Sequence, residues 1–114
     1  MRYMFCESAF NGDISKWDVS SVEDMTCMFE GSKFTGDISK WDVSKVENMK
    51  SMFANSKFNS DISNWDISNV TDMSYMFYNA KFNNDMSKWN VRKVRHCDNT
   101  FGKCHIIQRY KPKF

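Results

Sequence analysis

One proline, four glycines, four cysteines and two histidines are all that 114 residues contain of those types, and no long apolar run is present. Each shortage excludes something. No stretch approaches the roughly 20 apolar residues of a membrane-crossing helix, so the chain is expected to be soluble, without a membrane span. The opening MRYMFCESAF also lacks the apolar centre of a secretory signal. Gly12, Gly31, Gly36 and Gly102 stand alone as turn residues, which leaves no glycine-rich loop to cradle a phosphate. Both histidines, His96 and His105, fall in one late segment, and no third group is positioned by sequence to orient a Cys–His pair. The expectation is a non-enzymatic protein with no cofactor and no metal.

What the sequence has in abundance is self-similarity. FNGDISKWDVSSVEDMTCMF at 10–29 returns as FTGDISKWDVSKVENMKSMF at 34–53, as FNSDISNWDISNVTDMSYMF at 58–77, and in weaker form as FNNDMSKWNVRKVRHCDNTF at 82–101. The period is 24 residues, marked by Trp17, Trp41, Trp65 and Trp89. Met1 is in register with Met25, so the chain opens inside a repeat. Repeats of this length stack, because one unit cannot bury its own apolar face. The reading is one unit over 1–104, about four repeats with the first incomplete, followed by a basic tail at 105–114.

Within a repeat, Trp17 and Val19 are two apart, the spacing of one face of a short strand. Val22, Met25, Met28 and Phe29 follow at three and four, the spacing of a helical turn. Ser20 with Glu23, and Ser44 with Glu47, have capping-box form, so a helical or 3₁₀ segment is expected near residue 21. The predicted fold is a repeat solenoid. Short parallel β-strands about 4.8 Å apart form one face, and helical or 3₁₀ turns form the other, wound right-handed.

These residues resemble a known family. Ile14-x-x-Trp17-x-Val19 has the form of the strand segment of a leucine-rich repeat, and Val22-x-x-Met25-x-x-Met28-Phe29-x-x-Ser32 resembles the BspA-like variant. Phe101-Gly102-Lys103-Cys104 matches the small-residue, Phe and Cys phrase that closes that variant. The Asp-Ile-Ser-x-Trp-Asp-Val-Ser wording is similar to repeats of mycoplasma surface lipoproteins, a domain of unknown function also found in giant viruses and protists. The resemblance covers residues 1 to about 104 and implies surface display, adhesion and protein binding without enzymatic activity.

Three candidate surfaces emerge. The outward side chains Lys16, Asp18, Lys40, Asp42, Asn64, Asp66, Lys88 and Asn90 form a polar face, read as a solubilising charge ladder, a recognition face or, least favoured, a cation site. Asp13, Asp37, Asp61 and Asp85, just ahead, are expected to accept hydrogen bonds from turn amides. The incomplete first repeat leaves Met1, Met4, Phe5, Phe10, Ile14, Trp17 and Val19 as an uncovered apolar end suited to assembly. Residues 92–114 carry seven basic residues, Arg92, Lys93, Arg95, Lys103, Arg109, Lys111 and Lys113, against one acid. That arm is read as a solvated cap or disordered tail, as a dock for an acidic protein, or as a weak nucleic-acid contact.

Cys97 replaces the methionine of Met25 and is expected to be a small buried hydrophobe. The segment from His96 to His105 leaves zinc, a Cys97–Cys104 disulfide and free thiols all open, and the irregular cysteine usage leans toward a reducing compartment. The functional expectation is a protein-interaction or surface-display module. A structural component of a larger assembly, such as a giant-virus particle, and a nucleic-acid accessory protein are the alternatives.

Overall fold

Backbone hydrogen bonding follows the 24-residue repeat. In the computed structural model, which describes residues 1–114, the amides of Met25, Cys27, Phe29 and Gly31 donate to the carbonyls of Asn48, Lys50, Met52 and Ala54 at 2.8–2.9 Å. The same set runs from Met49, Ser51, Phe53 and Asn55 into the next copy, and from Met73, Tyr75, Phe77 and Asn79 into the last. Copies therefore lie on one another in register, as layers.

The expected strands and helical backs do not form. Parallel pairing is reduced to isolated bridges, Asp24 with Asn48, Asn48 with Asp72 and Asp72 with His96, and the one regular element is a 3₁₀ turn at Gln108–Tyr110. The leucine-rich-repeat-like solenoid is thus replaced by a compact stack of turns without a sheet. The amides show why. Between the donors that leave the layer, Met28, Glu30 and Ser32 donate back to the carbonyls of Met25, Cys27 and Phe29, three residues earlier. A helix would need every amide to reach four residues back. Here one turn follows another, and Cys27 and Gly31 take the left-handed conformation, with φ of 56° and 65°, that a type II turn requires at its third residue.

The Trp17–Val19 stretch meets the same fate. The Trp17 amide closes a turn on the Ile14 carbonyl at 3.1 Å, and the Val22 amide closes another on Val19 at 3.0 Å, leaving too few residues between for a strand. The Ser20 hydroxyl, expected to cap a helix, donates to Asp18 at 2.6 Å instead.

The apolar columns do stack. Phe5, Phe29, Phe53, Phe77 and Phe101 form a pile with successive ring centroids 5.5–5.7 Å apart. Phe34, Phe58 and Phe82 form a second pile beside it at 6.1–6.2 Å. Met25, Met28, Ile38, Val43 and Trp41 with their equivalents complete one continuous core. The radius of gyration is 12.5 Å, close to the ~13 Å of an ordinary domain of this length.

Candidate functional site

All eight residues of the polar face are exposed, but no sheet carries them: Lys16, Lys40, Asn64 and Lys88 lie on turns, and Asp18, Asp42, Asp66 and Asn90 on irregular backbone just after. The Asp18 carboxylate accepts from the Ser20 amide at 3.0 Å and the Ser20 hydroxyl at 2.6 Å, and Asp42 with Ser44 and Asp66 with Ser68 repeat both bonds. Those bonds, the hydroxyl's above all, hold the three carboxyls below the usual aspartate range. Asn90 keeps only the amide bond, from Arg92 at 3.2 Å. Asp13, Asp37, Asp61 and Asp85 accept from the amides two residues on, each at 2.9 Å, as turn-closing residues should. The lysines of the face, Lys16, Lys40 and Lys88, are solvated.

A shallow groove of about 500 Å³ that the repeat pattern did not single out crosses the layers alongside this face. Ser21, Glu23, Lys45, Glu47, Asn69, Thr71 and Lys93 line it, and none is apolar. Its floor is internally bonded: Asn69 Nδ2 donates to the Ser44 carbonyl at 2.7 Å, and Lys93 Nζ donates to Asn69 Oδ1 at 2.8 Å. The signal was present in the sequence as two columns that are polar in every copy.

The N-terminal end is different in kind. Met4 is 50% exposed, Phe10 38% and Trp17 37%, whereas Trp41, Trp65 and Trp89 are buried beneath a preceding layer. Met1 and Phe5 are half-buried, Phe5 stacking on Phe10 at 4.8 Å and on Phe29 at 5.5 Å. Ile14 and Val19 do not belong to the exposed end: both are buried, because the layer beginning at Phe34 covers them. Tyr3, at 53% exposed, does belong to it. Its column continues as Cys27, Ser51, Tyr75 and Asn99, which has no apolar pattern, so the repeat gave no reason to choose it.

The tail is not a free arm. Ile106 falls in the column of Phe82 and is buried, the Ile107 amide donates to Asn83 Oδ1 at 3.0 Å, and the Met86 amide donates to the Tyr110 carbonyl at 2.9 Å. Pro112 is buried as well, so the tail covers part of the last layer. Arg92, Lys93, Arg95, Lys103, Arg109 and Lys113 are exposed around it. Lys103 lies over the Tyr78 ring, Arg109 over Tyr110 and Lys111 over Phe101, each with its charge 5.6–5.8 Å from the centroid.

All four cysteines are free thiols. Cys97 is exposed rather than buried, since no layer follows it, unlike Met25, Met49 and Met73 in its column. Burial, reinforced by Glu30, pushes the Cys27 thiol up to about 11, so it stays protonated at neutral pH. No helix is long and apolar enough to cross a membrane.

No curated protein and no solved structure matches this chain. One family model does, over residues 1–113, nearly the whole stack of layers and its folded tail; the chain belongs to the family described as "Mycoplasma protein of unknown function, DUF285".

Proposed function

We propose that this chain is a non-enzymatic interaction module that engages a protein partner through its N-terminal end. The observation that carries the reading is the clustering of Met4, Phe10 and Trp17, all more than a third exposed and flanked by exposed Tyr3, on one end of a stack in which Met28, Phe34 and Trp41 of the same apolar columns are buried. Exposed apolar side chains gathered in one place favour association, because their burial removes them from water. The flanks support the same assignment by contrast. Their carboxylates are occupied in closing turns, and their groove is polar and bonded to itself.

A structural part in a larger assembly is the second reading, favoured by the same exposed apolar side chains. The nucleic-acid alternative loses weight because the tail that would follow a phosphate backbone is folded onto the last layer. A photo-reactive residue in place of Met4, in the cells that make the protein, tests the end-face assignment. One discrete adduct from Met4 and none from Asp42 is the expected result. No adduct from Met4, or the same adduct from Asp42, would overturn it.

A further inference from the structure

Lys33, Lys57 and Lys81 stand 24 residues apart, each exposed, and exposed His105 takes the same place in the last copy. They form a ladder. Each lysine is set between buried neighbours, Ser32 and Phe34, Ser56 and Phe58, Ala80 and Phe82, so one side chain per layer leaves the surface at a fixed point. Backbone bonds tie the rungs: the amides of Lys33, Lys81 and His105 donate to the carbonyls of Ser8, Ser56 and Ala80 in the layer before, at 3.1–3.4 Å.

What separates this column from the other lysines is its lack of acids. Lys16, Lys40 and Lys88 run beside Asp13, Asp37 and Asp85, and Lys45 lies in the groove with Glu23 and Glu47. Residues 54–60 and 78–84 contain no Asp or Glu, and Lys103 adds a charge two residues before His105. Only at Lys33 does an acid approach, since Glu7 lies against Gly31 and Glu30 is three residues away in the chain. The one ion pair in the molecule joins Arg2 and Asp24, so no carboxylate is paired with the ladder. Like charges on successive layers repel, and no protein group neutralises Lys57 or Lys81.

We infer that this ladder binds an acidic, extended segment of a partner protein, whose carboxylates at alternate residues face successive lysines. The spacing supports it. Side chains on one face of an extended chain recur every two residues, about 6.6 Å, and the rings that follow the lysines, Phe34, Phe58 and Phe82, are 6.1–6.2 Å apart from layer to layer. The flexible lysine stems absorb the difference.

The borders of the ladder suit a peptide backbone. Asn79 Nδ2 donates to Asn55 Oδ1 at 2.8 Å on one side, and the Asn83 amide donates to Asn59 Oδ1 at 2.8 Å on the other. Two rows of fixed side-chain amides therefore line the lysines, with donors and acceptors to spare. A nucleic acid fits less well, because the rings between the lysines are buried and offer no face on which a base stacks. Lys57 and Lys81 lie on the flank, layers away from Met4, so the ladder and the N-terminal end bind independently.

Fluorescence anisotropy with a labelled peptide of alternating Glu and Thr tests this. The expected result is binding that weakens as salt is added, since the facing charges are screened. It is lost when every Glu is replaced by Gln, and is weaker for the same composition with its Glu residues in one block. Lys57→Gln with Lys81→Gln weakens binding by about tenfold or more. Lys45→Gln with Lys50→Gln removes the same charge elsewhere and changes it by less than about twofold. All four lysines are exposed, so both double variants should fold, which circular dichroism checks. No binding by the wild-type chain, or equal weakening in the two double variants, overturns the inference. So does equal binding of the blocked peptide, or tighter binding of a single-stranded oligonucleotide or of phosphatidylserine vesicles at the same salt.

Discussion

The Trp41 indole nitrogen donates to the carbonyl of Ile14, 27 residues earlier, at 3.1 Å. Trp65 makes the same bond to Ile38 and Trp89 to Ile62. The Ile14 carbonyl also accepts from the Trp17 amide at 3.1 Å, so one oxygen ties its own turn to the layer above. Trp41→Ala removes both a buried ring and this bond, and should cost roughly 3–5 kcal/mol in urea unfolding. Trp41→Phe, which keeps a ring but loses the donor, should cost less than half as much. Trp17→Ala should also fall well below Trp41→Ala, because Trp17 is 37% exposed and has no earlier carbonyl to reach. Equal losses at Trp17 and Trp41 would contradict the layer assignment.

Gly31 and Ser51 make opposite demands on the same conformation. Gly31 has φ of 65° and Ser51 φ of 56°. Gly31→Ala should lose about 1–2 kcal/mol, the usual left-handed penalty for a side chain. A Cβ there would also approach the Glu7 carboxyl to 2.6 Å, but that group is the far end of an exposed side chain and can move. Ser51→Gly should be neutral or stabilising by up to about 1 kcal/mol, as relieved strain offsets the freedom gained by the unfolded chain. Thermal unfolding of the two variants checks both signs.

Acid should act on the turn-closing carboxylates. Asp18, Asp42 and Asp66 are held below the usual range by Ser20, Ser44 and Ser68. Their contribution is therefore complete above the unfolded pKa of about 3.9 and is lost as pH falls through the folded values beneath it. Urea midpoints should be insensitive to these groups from pH 7 to 5 and should drop below about pH 4. A variant with all three changed to Asn, which can still accept the amide bond as Asn90 does, should show a shallower acid decline. Identical pH profiles for the two proteins would refute the assignment.

Removal of the tail should cost more than its composition suggests. Ile106 is buried against the core, so Ile106→Ala should lose about 2 kcal/mol or slightly more. Arg109→Ala and Lys113→Ala, at exposed positions, should stay within about 0.5 kcal/mol of wild type. Chemical denaturation of the three variants separates a folded tail from a solvated arm, for which all three changes would be equally small.

Much of the candidate end was legible beforehand. Met4, Phe10 and Trp17 belong to apolar columns lacking a preceding copy, and they are exposed as that implies. Ile14 and Val19 have the same pattern but are enclosed, because they point back into their own layer and the next rather than outward. Tyr3 escaped notice for the opposite reason: its column, which continues as Cys27, Ser51, Tyr75 and Asn99, carries no apolar signal. Ile106 could have been placed by adding the period to Phe82, although the tail's wording departs from the repeat elsewhere.

By itself the sequence determined the 24-residue register and the columns that fill the core, since burial of an apolar face depends on spacing alone. It did not determine the backbone. Residues three and four apart share a face in a helix, and they also share one in successive turns with a left-handed residue at every fourth position. Cys27, Ser51 and Tyr75 have no intrinsic preference for that conformation. They adopt it as the third residues of the turns in which Met28, Met52 and Met76 donate to Met25, Met49 and Met73, and stacking holds those turns by pairing the amides of Cys27, Ser51 and Tyr75 with the carbonyls of Lys50, Ser74 and Asp98 in the layer beyond.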